Sequence, residues 1–346
     1  MKLTALLTVS ALALSTFACA QDSINTAFQI YGSVDTYYKY DFNKQPNITT
    51  SFDNDHNSIS LGMIDFGIKK TTGKASFVGE VSFGPRGQYQ SLINGDNSPA
   101  NGDNSFFIQN LNVTYAFTEK LALTAGFMGT FVGYEVISPT GNFNYSTSYL
   151  FSAGPFQNAG IKGTYAFTPG ISLMLGLFDD WNVYKDLNGV SHFGAQLGIT
   201  PVEGWSAYFN VLTGKNQGAV ANGALLDLTT SYQISEKVKV GFNAADYHLA
   251  GGNGGYSGAA LYLQHGFSEK FALGLRTEYF KTKAVGLVEG EGIKSVTLSG
   301  NFKAGGLTFI PEFRFDDRDE DLFLKSNLSP TDRTSQYSLA AVYAFE

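Results

Sequence analysis

The chain has 346 residues, 14% of them aromatic (29 Phe, 19 Tyr, 2 Trp) and only 15% charged. That balance excludes a disordered chain, and 23 basic against 30 acidic residues argue against a nucleic-acid partner. A mean hydropathy of −0.06 excludes a bundle of membrane-spanning helices and fits a transmembrane β-barrel, whose apolar and polar faces alternate and cancel in any average.

Residues 1–20 read as an export signal. Lys2 supplies the charged start, Leu3 to Phe17 an apolar stretch, and Ala18-Cys19-Ala20 the small-x-small cleavage pattern. Lipid attachment at Cys19 is the rival; the preceding Thr16-Phe17-Ala18 lacks the Leu that lipoprotein signals usually carry. With Cys19 removed, residues 21–346 form a single domain without disulfides, zinc-thiolate sites or thiol catalysis.

Period-two alternation starts at once. Phe28, Ile30, Val34, Tyr38, Tyr40 and Phe42 share one parity, with Gln29, Ser33, Asp35 and Lys39 on the other. In 58–69 the apolar parity flips from Ile59, Leu61 and Met63 to Ile64, Phe66 and Ile68, which predicts a bulge. Leu121, Leu123, Ala125, Phe127 and Phe131 alternate with Ala122, Thr124, Gly126 and Thr130. The last strand sets Tyr337, Leu339, Ala341, Tyr343 and Phe345 against Gln336, Ser338 and Ala340. Strands of about ten residues match a tilted crossing of the hydrocarbon layer and exceed those of a soluble sandwich.

Turns repeat one device. Ala116–Leu121, Ala166–Ile171, Gln233–Val238 and Gly266–Phe271 each place an aromatic or aliphatic residue before a short turn and an apolar one after it. Looser versions stand at Lys70–Lys74, Pro201–Gly204 and Lys303–Gly306. Between these seven turns lie eight long polar segments, near 43–57, 85–104, 132–152, 180–189, 216–223, 249–257, 283–292 and 317–334. The count predicts an all-β, antiparallel up-and-down barrel of about sixteen strands, with short periplasmic turns and long outer loops. Aromatics such as Phe117, Phe167, Trp205, Phe267, Phe302 and Tyr343 cluster near the short turns, as an interfacial girdle requires.

The stretch Gly133-Tyr134-Glu135, then Asn142–Tyr149, then Gly154-Pro155-Phe156 leading into Ala159–Lys162 resembles the OmpL-like β-barrel porins of Gram-negative bacteria. The likeness runs over essentially the whole mature chain and implies a pore in the outer membrane more strongly than it implies a solute. The final strand also resembles the signal read by the barrel assembly machinery, except that Glu346 follows Phe345.

Candidates for catalysis are few. Asp246-Tyr247-His248 sets an acid and a histidine on one side of a strand end, and Asp53/Asp55 or Asp319/Asp321 could supply the second acid pair of a barrel protease. None of the four histidines stands two residues before a serine, as a barrel phospholipase would need. The twin Asn94–Ser98 and Asn101–Ser105 segments and the acid-rich run Asp316–Asp321 offer oxygen ligands for hard cations, but read more simply as solvated turns. No metal, cofactor or catalytic residue is implied.

The inward parity carries the informative chemistry. Asp35, Lys39, Glu80, Asp227, Lys239, Arg276, Glu278, Glu312 and Arg314 should line the lumen, with Asn110, Asn112, Thr114 and Gln264 between them. Sixteen strands hold an aqueous channel. Segment 132–152, with Tyr134, Glu135, Asn142, Asn144 and Tyr145, would form a constriction if folded inward; the alternative lays it over the rim. The expectation is a porin for small hydrophilic solutes or ions with a mild cation preference. Inward acids outnumber bases about eight to four, counting Asp41, Asp180 and Asp316. Expected partners are outer-membrane lipids, lipopolysaccharide and those solutes, with a homo-oligomer left open. The alternatives are a barrel hydrolase using Asp246 and His248, or a non-conducting structural or adhesion barrel.

Overall fold

The computed structural model describes residues 26–87, 108–184 and 189–346. The signal segment 1–20, Cys19 and the Asn94–Ser98 and Asn101–Ser105 repeats lie outside them.

Sixteen strands run β1 (Gln29–Asp41), β2 (Ser58–Thr72), β3 (Ala75–Phe83), β4 (Ile108–Ala116), β5 (Leu121–Gly129), β6 (Gln157–Thr168), β7 (Ile171–Trp181) and β8 (His192–Val202), then β9 (Trp205–Gly214), β10 (Gly223–Gln233), β11 (Val238–Leu249), β12 (Gly255–Ser268), β13 (Phe271–Thr282), β14 (Gly292–Ala304), β15 (Leu307–Arg318) and a closing strand, Arg333–Phe345. Each pairs antiparallel with its sequence neighbours, and β1 meets the closing strand from Gly32↔Phe345 to Asp41↔Gln336, so the sheet has no edge. That closure lets a sheet stand in lipid, where an unpaired backbone edge would cost several kcal/mol per group.

Alternation decides which way each side chain points. In the closing strand Tyr337, Leu339 and Tyr343 are exposed on the outer face, while Gln336, Ser338, Ala340 and Val342 are buried inside. Outward rings stack around the short-turn end, with Phe267, Phe271 and Phe302 in sequence at centroid spacings of 5.4 and 4.5 Å. Tyr165–Phe167 and Tyr115–Phe117 each meet edge-on at 5.0 Å.

The expected bulge lies opposite Asp35. Val34 pairs with Ile64 and Thr36 with Leu61, leaving Gly62 and Met63 against one residue of β1. Ile59, Leu61, Ile64 and Phe66 face outward, but Met63 is 3% exposed and turns inward, correcting its place in the outward row. Asp35 secures the bulge by accepting the Met63 N–H at 2.9 Å.

The apolar core sits inside the barrel. Inward-facing Met174, Phe178, Leu212, Leu225, Tyr256, Phe280 and Ile293 pack with Phe131, Val132 and Leu150 from the long segment after β5, and with Phe323 from the last outer loop. A second cluster joins Phe52, Met63, Ile137, Phe151 and Phe156. The lumen wall is therefore partly apolar where loops cover it, beyond the polar lining that the inward parity predicts.

Candidate functional site

Residues 130–156 enter the barrel rather than lying over its rim. A chain segment at membrane depth needs partners for every backbone N–H and C=O, and the wall supplies them. Gly133 N–H reaches Asp227 on β10 at 3.0 Å. The Tyr145 and Ser146 N–H groups bind Glu312 on β15 at 2.8 and 3.1 Å. The Tyr149 and Leu150 N–H groups bind Glu278 on β13 at 3.0 and 2.7 Å, where the segment forms its short helix α1 (Tyr149–Ala153). Basic residues take the carbonyls: Arg276 donates to Ser146 O at 2.6 Å and Arg314 to Thr147 O at 2.8 Å.

Side chains fix the register. Glu135 meets Arg276 at 2.6 Å and caps the segment's own return by accepting the Ser148 N–H at 2.8 Å. Asn144 donates to Ser299 at 2.6 Å, and the Tyr145 hydroxyl donates to Asp35 at 2.5 Å. Asn142 closes the tip by bonding both backbone groups of Val136, at 3.0 and 2.6 Å. Tyr134 stacks on Tyr262 at 4.3 Å, and burial pushes its phenol up to about 12. The Phe143 ring occupies the space where a Cβ on Gly274 would stand, so only glycine admits that contact on β13.

Two further loops lock onto this segment. Arg86, in the turn Pro85–Gly87 after β3, is fully buried with its guanidinium between the rings of Phe52 and Tyr145, at 4.7 and 4.8 Å. It donates to Ile137 O at 3.1 Å and stands 3.8 Å from Asp35. Thr147 donates to Ser51 O, and Lys39 holds Ile48 O at 3.1 Å. Burial raises the Asp53 carboxyl above the usual range, opposed by Lys39, Arg314 and Arg86. Nothing in the local sequence singles out Arg86 or Phe52, because their partners come from other loops, Ile137 standing 51 positions from Arg86.

The expected lining residues divide between two walls. Asp35, Lys39, Asp227, Arg276, Glu278, Glu312 and Arg314 all bind the inserted loops or each other beneath them. Glu80 does not; it accepts from Asn110 at 2.7 Å and Tyr31 at 3.1 Å on the wall β1–β4. Further round, the Thr114 and Thr124 hydroxyls share a 2.8 Å bond. Lys239 lies opposite Gln233 and Gln264 near a short turn. Among the described residues no hydrogen bond joins Glu80, Asn112, Thr114, Thr124 or Lys162 to an inserted loop.

Asp246 and His248 face outward at the upper end of β11, half exposed, with Asp246 paired to Lys283 at 2.7 Å and 3.8 Å from His248. Asp53 sits inside the barrel, across the wall from them. Among the described residues no group of three or more His, Cys, Asp or Glu is placed to hold a metal ion.

Residues 27–345 match the family model described as Putative beta-barrel porin-2, OmpL-like. The chain belongs to this family. It is an outer-membrane porin, a multi-pass β-barrel channel. The fold is similar to that of the outer membrane channel DcaP of Acinetobacter baumannii, at 13% identity and TM-score 0.62, covering 92% of this chain and 97% of that one. It is similar to Salmonella typhi OmpF solved with daunomycin, at 12% identity and TM-score 0.64, covering 93% and 100%. It is also similar to Vibrio cholerae OmpT in its trimer form, at 12% identity and TM-score 0.61, covering 92% and 99%. No curated protein matches the sequence.

Proposed function

We propose that the porin passes small hydrophilic solutes by passive diffusion between the inserted segment 130–156 and the wall β3–β6. The observation that carries this reading is the docking of that segment on β7–β15 and β1, while Glu80, Asn112, Thr114, Thr124 and Lys162 on β3–β6 make no hydrogen bond to an inserted loop among the described residues. Size selection then falls to the inserted segment, and charge preference to the sum of inward groups. That sum is negative, which supports a mild cation preference, weakened because exposed charges are screened over about 8 Å at physiological salt.

The porin works without catalysis on this reading, since Asp246 is engaged by Lys283 and faces away from the lumen. The segment 1–20 is removed on export, the outward apolar face meets outer-membrane lipids and lipopolysaccharide, and the closing strand is read by the assembly machinery. The proposal includes a homo-oligomer, by likeness of fold to Vibrio cholerae OmpT, solved in a trimer form. Single-channel recording of residues 21–346 in a planar bilayer tests the pore: discrete, ohmic steps in KCl are expected, and a silent bilayer with correctly folded protein overturns it. Reversal potentials in a KCl gradient test the preference, with chloride selectivity at low salt against it.

A further inference from the structure

Four of the inward-facing bases are held by named partners. Arg86, Arg276 and Arg314 each meet a carboxylate, at 3.8, 2.6 and 2.9 Å, and Lys39 donates to a loop carbonyl at 3.1 Å. Lys162 differs. It sits mid-strand on β6 with lumen parity, between the outward Ile161 and the outward-facing Tyr165 two positions beyond Gly163. Its register partners are Thr124 on β5 and Gly176 on β7, neither of which carries charge. Among the described residues it makes no hydrogen bond or ion pair, and no carboxylate acts on it.

A half-buried ammonium without an anion is costly to keep in a wall unless something outside the wall completes it. The neighbouring groups can share that task. Thr124 and Thr114 present hydroxyls that can donate to an oxyanion once their mutual bond turns. The Phe178 ring fills the space above Gly176, on the β7 side of Lys162.

We propose that Lys162, with the Thr124 and Thr114 hydroxyls, forms a subsite that holds the carboxylate or phosphate of a passing solute. The proposal rests on the passage reading above and names the solute class it favours: small organic anions. It does not conflict with a mild cation preference. Small-ion selectivity reports the summed field of both walls, most of whose acids lie under the inserted loops, whereas a solute's own oxyanion meets Lys162 at contact distance.

Lys162→Gln removes the charge, Lys162→Glu reverses it and Lys162→Arg restores it. Swelling of liposomes holding full-length mature porin would be compared for lactate, inorganic phosphate and uncharged xylose. In the Gln variant, lactate and phosphate uptake relative to xylose should fall roughly two- to fivefold, the range a partly exposed ion pair supplies. The Glu variant should fall further and the Arg variant should match the wild type. A fall for lactate alone, or for phosphate alone, supports the subsite and narrows its class. Unchanged anion-to-xylose ratios in both the Gln and Glu variants, with xylose uptake intact, overturn the subsite and leave the pore standing. A wild-type protein that admits not even xylose overturns the passage, and the subsite with it.

Discussion

The two walls of the lumen use charge in opposite ways. On β10–β15 and β1, carboxylates and guanidinium groups are buried and committed to main-chain groups of the inserted segment. On β3–β6, Glu80 and Lys162 are half-buried, and the amide and hydroxyl side chains between them bond within the wall. Charges on the first wall hold the inserted segment, whereas among the described residues Glu80 and Lys162 on the second bond to no inserted loop. Counting inward residues from sequence cannot separate the two roles.

Replacing residues 134–152 by a short Gly/Ser linker should sharpen the contrast most. Conductance should rise several-fold while the barrel keeps its resistance to unfolding in detergent; unchanged conductance would mean that the segment does not constrict the passage. Next in size, Leu261→Arg places a charge mid-strand on the lipid face and should cost about 2–4 kcal/mol in refolding stability. Thr124→Glu, on the lumen face opposite Lys162, should cost little; equal losses would break the parity assignment.

Glu312→Ala strips the acceptor from the Tyr145 and Ser146 N–H groups. Each hydrogen bond to a charged group contributes about 1.5–3 kcal/mol, so urea unfolding should shift visibly and protease should reach the segment, whereas Glu80→Ala, which loses only its wall bonds to Asn110 and Tyr31, should leave the segment protected. Arg86→Ala should loosen the junction of three loops and raise current noise; Arg86→Lys should not rescue it, because an ammonium lacks the planar face set between Phe52 and Tyr145. The smallest effect belongs to Glu80→Gln, which should move the low-salt KCl reversal potential slightly toward chloride. A larger shift from Glu312→Gln than from Glu80→Gln would reverse the roles given to the two walls.

The barrel itself was legible because its signals are local. Alternation in strands such as 337–345, the four-fold recurrence of one turn device and the parity flip near Met63 all depend on residues a few positions apart, although the flip begins at Met63 rather than after it. The inward parity of Glu278, Glu312 and Arg314 is equally local. What they bind is not, since Glu312 meets Tyr145 from 167 positions away. The inward apolar residues Phe178, Leu225 and Phe280 break the polar-in rule for the same reason: their partners Phe131 and Leu150 arrive on a loop. Lys162 stands in a stretch whose family likeness is plain, yet its isolation is visible only once every neighbour is placed.

Glu312, Glu278 and Asp227 grip the inserted segment chiefly by its peptide N–H groups, which every residue except proline carries. At those positions the hold is uncoupled from the side chain displayed, while Glu135, Asn144 and Tyr145 fix the register by their side chains. Residues on its free side can drift, and with them the solutes admitted, without a new docking mode having to arise. Such a barrel can be retuned by single substitutions, and proline at 145, 146, 149 or 150 is the change it should tolerate least.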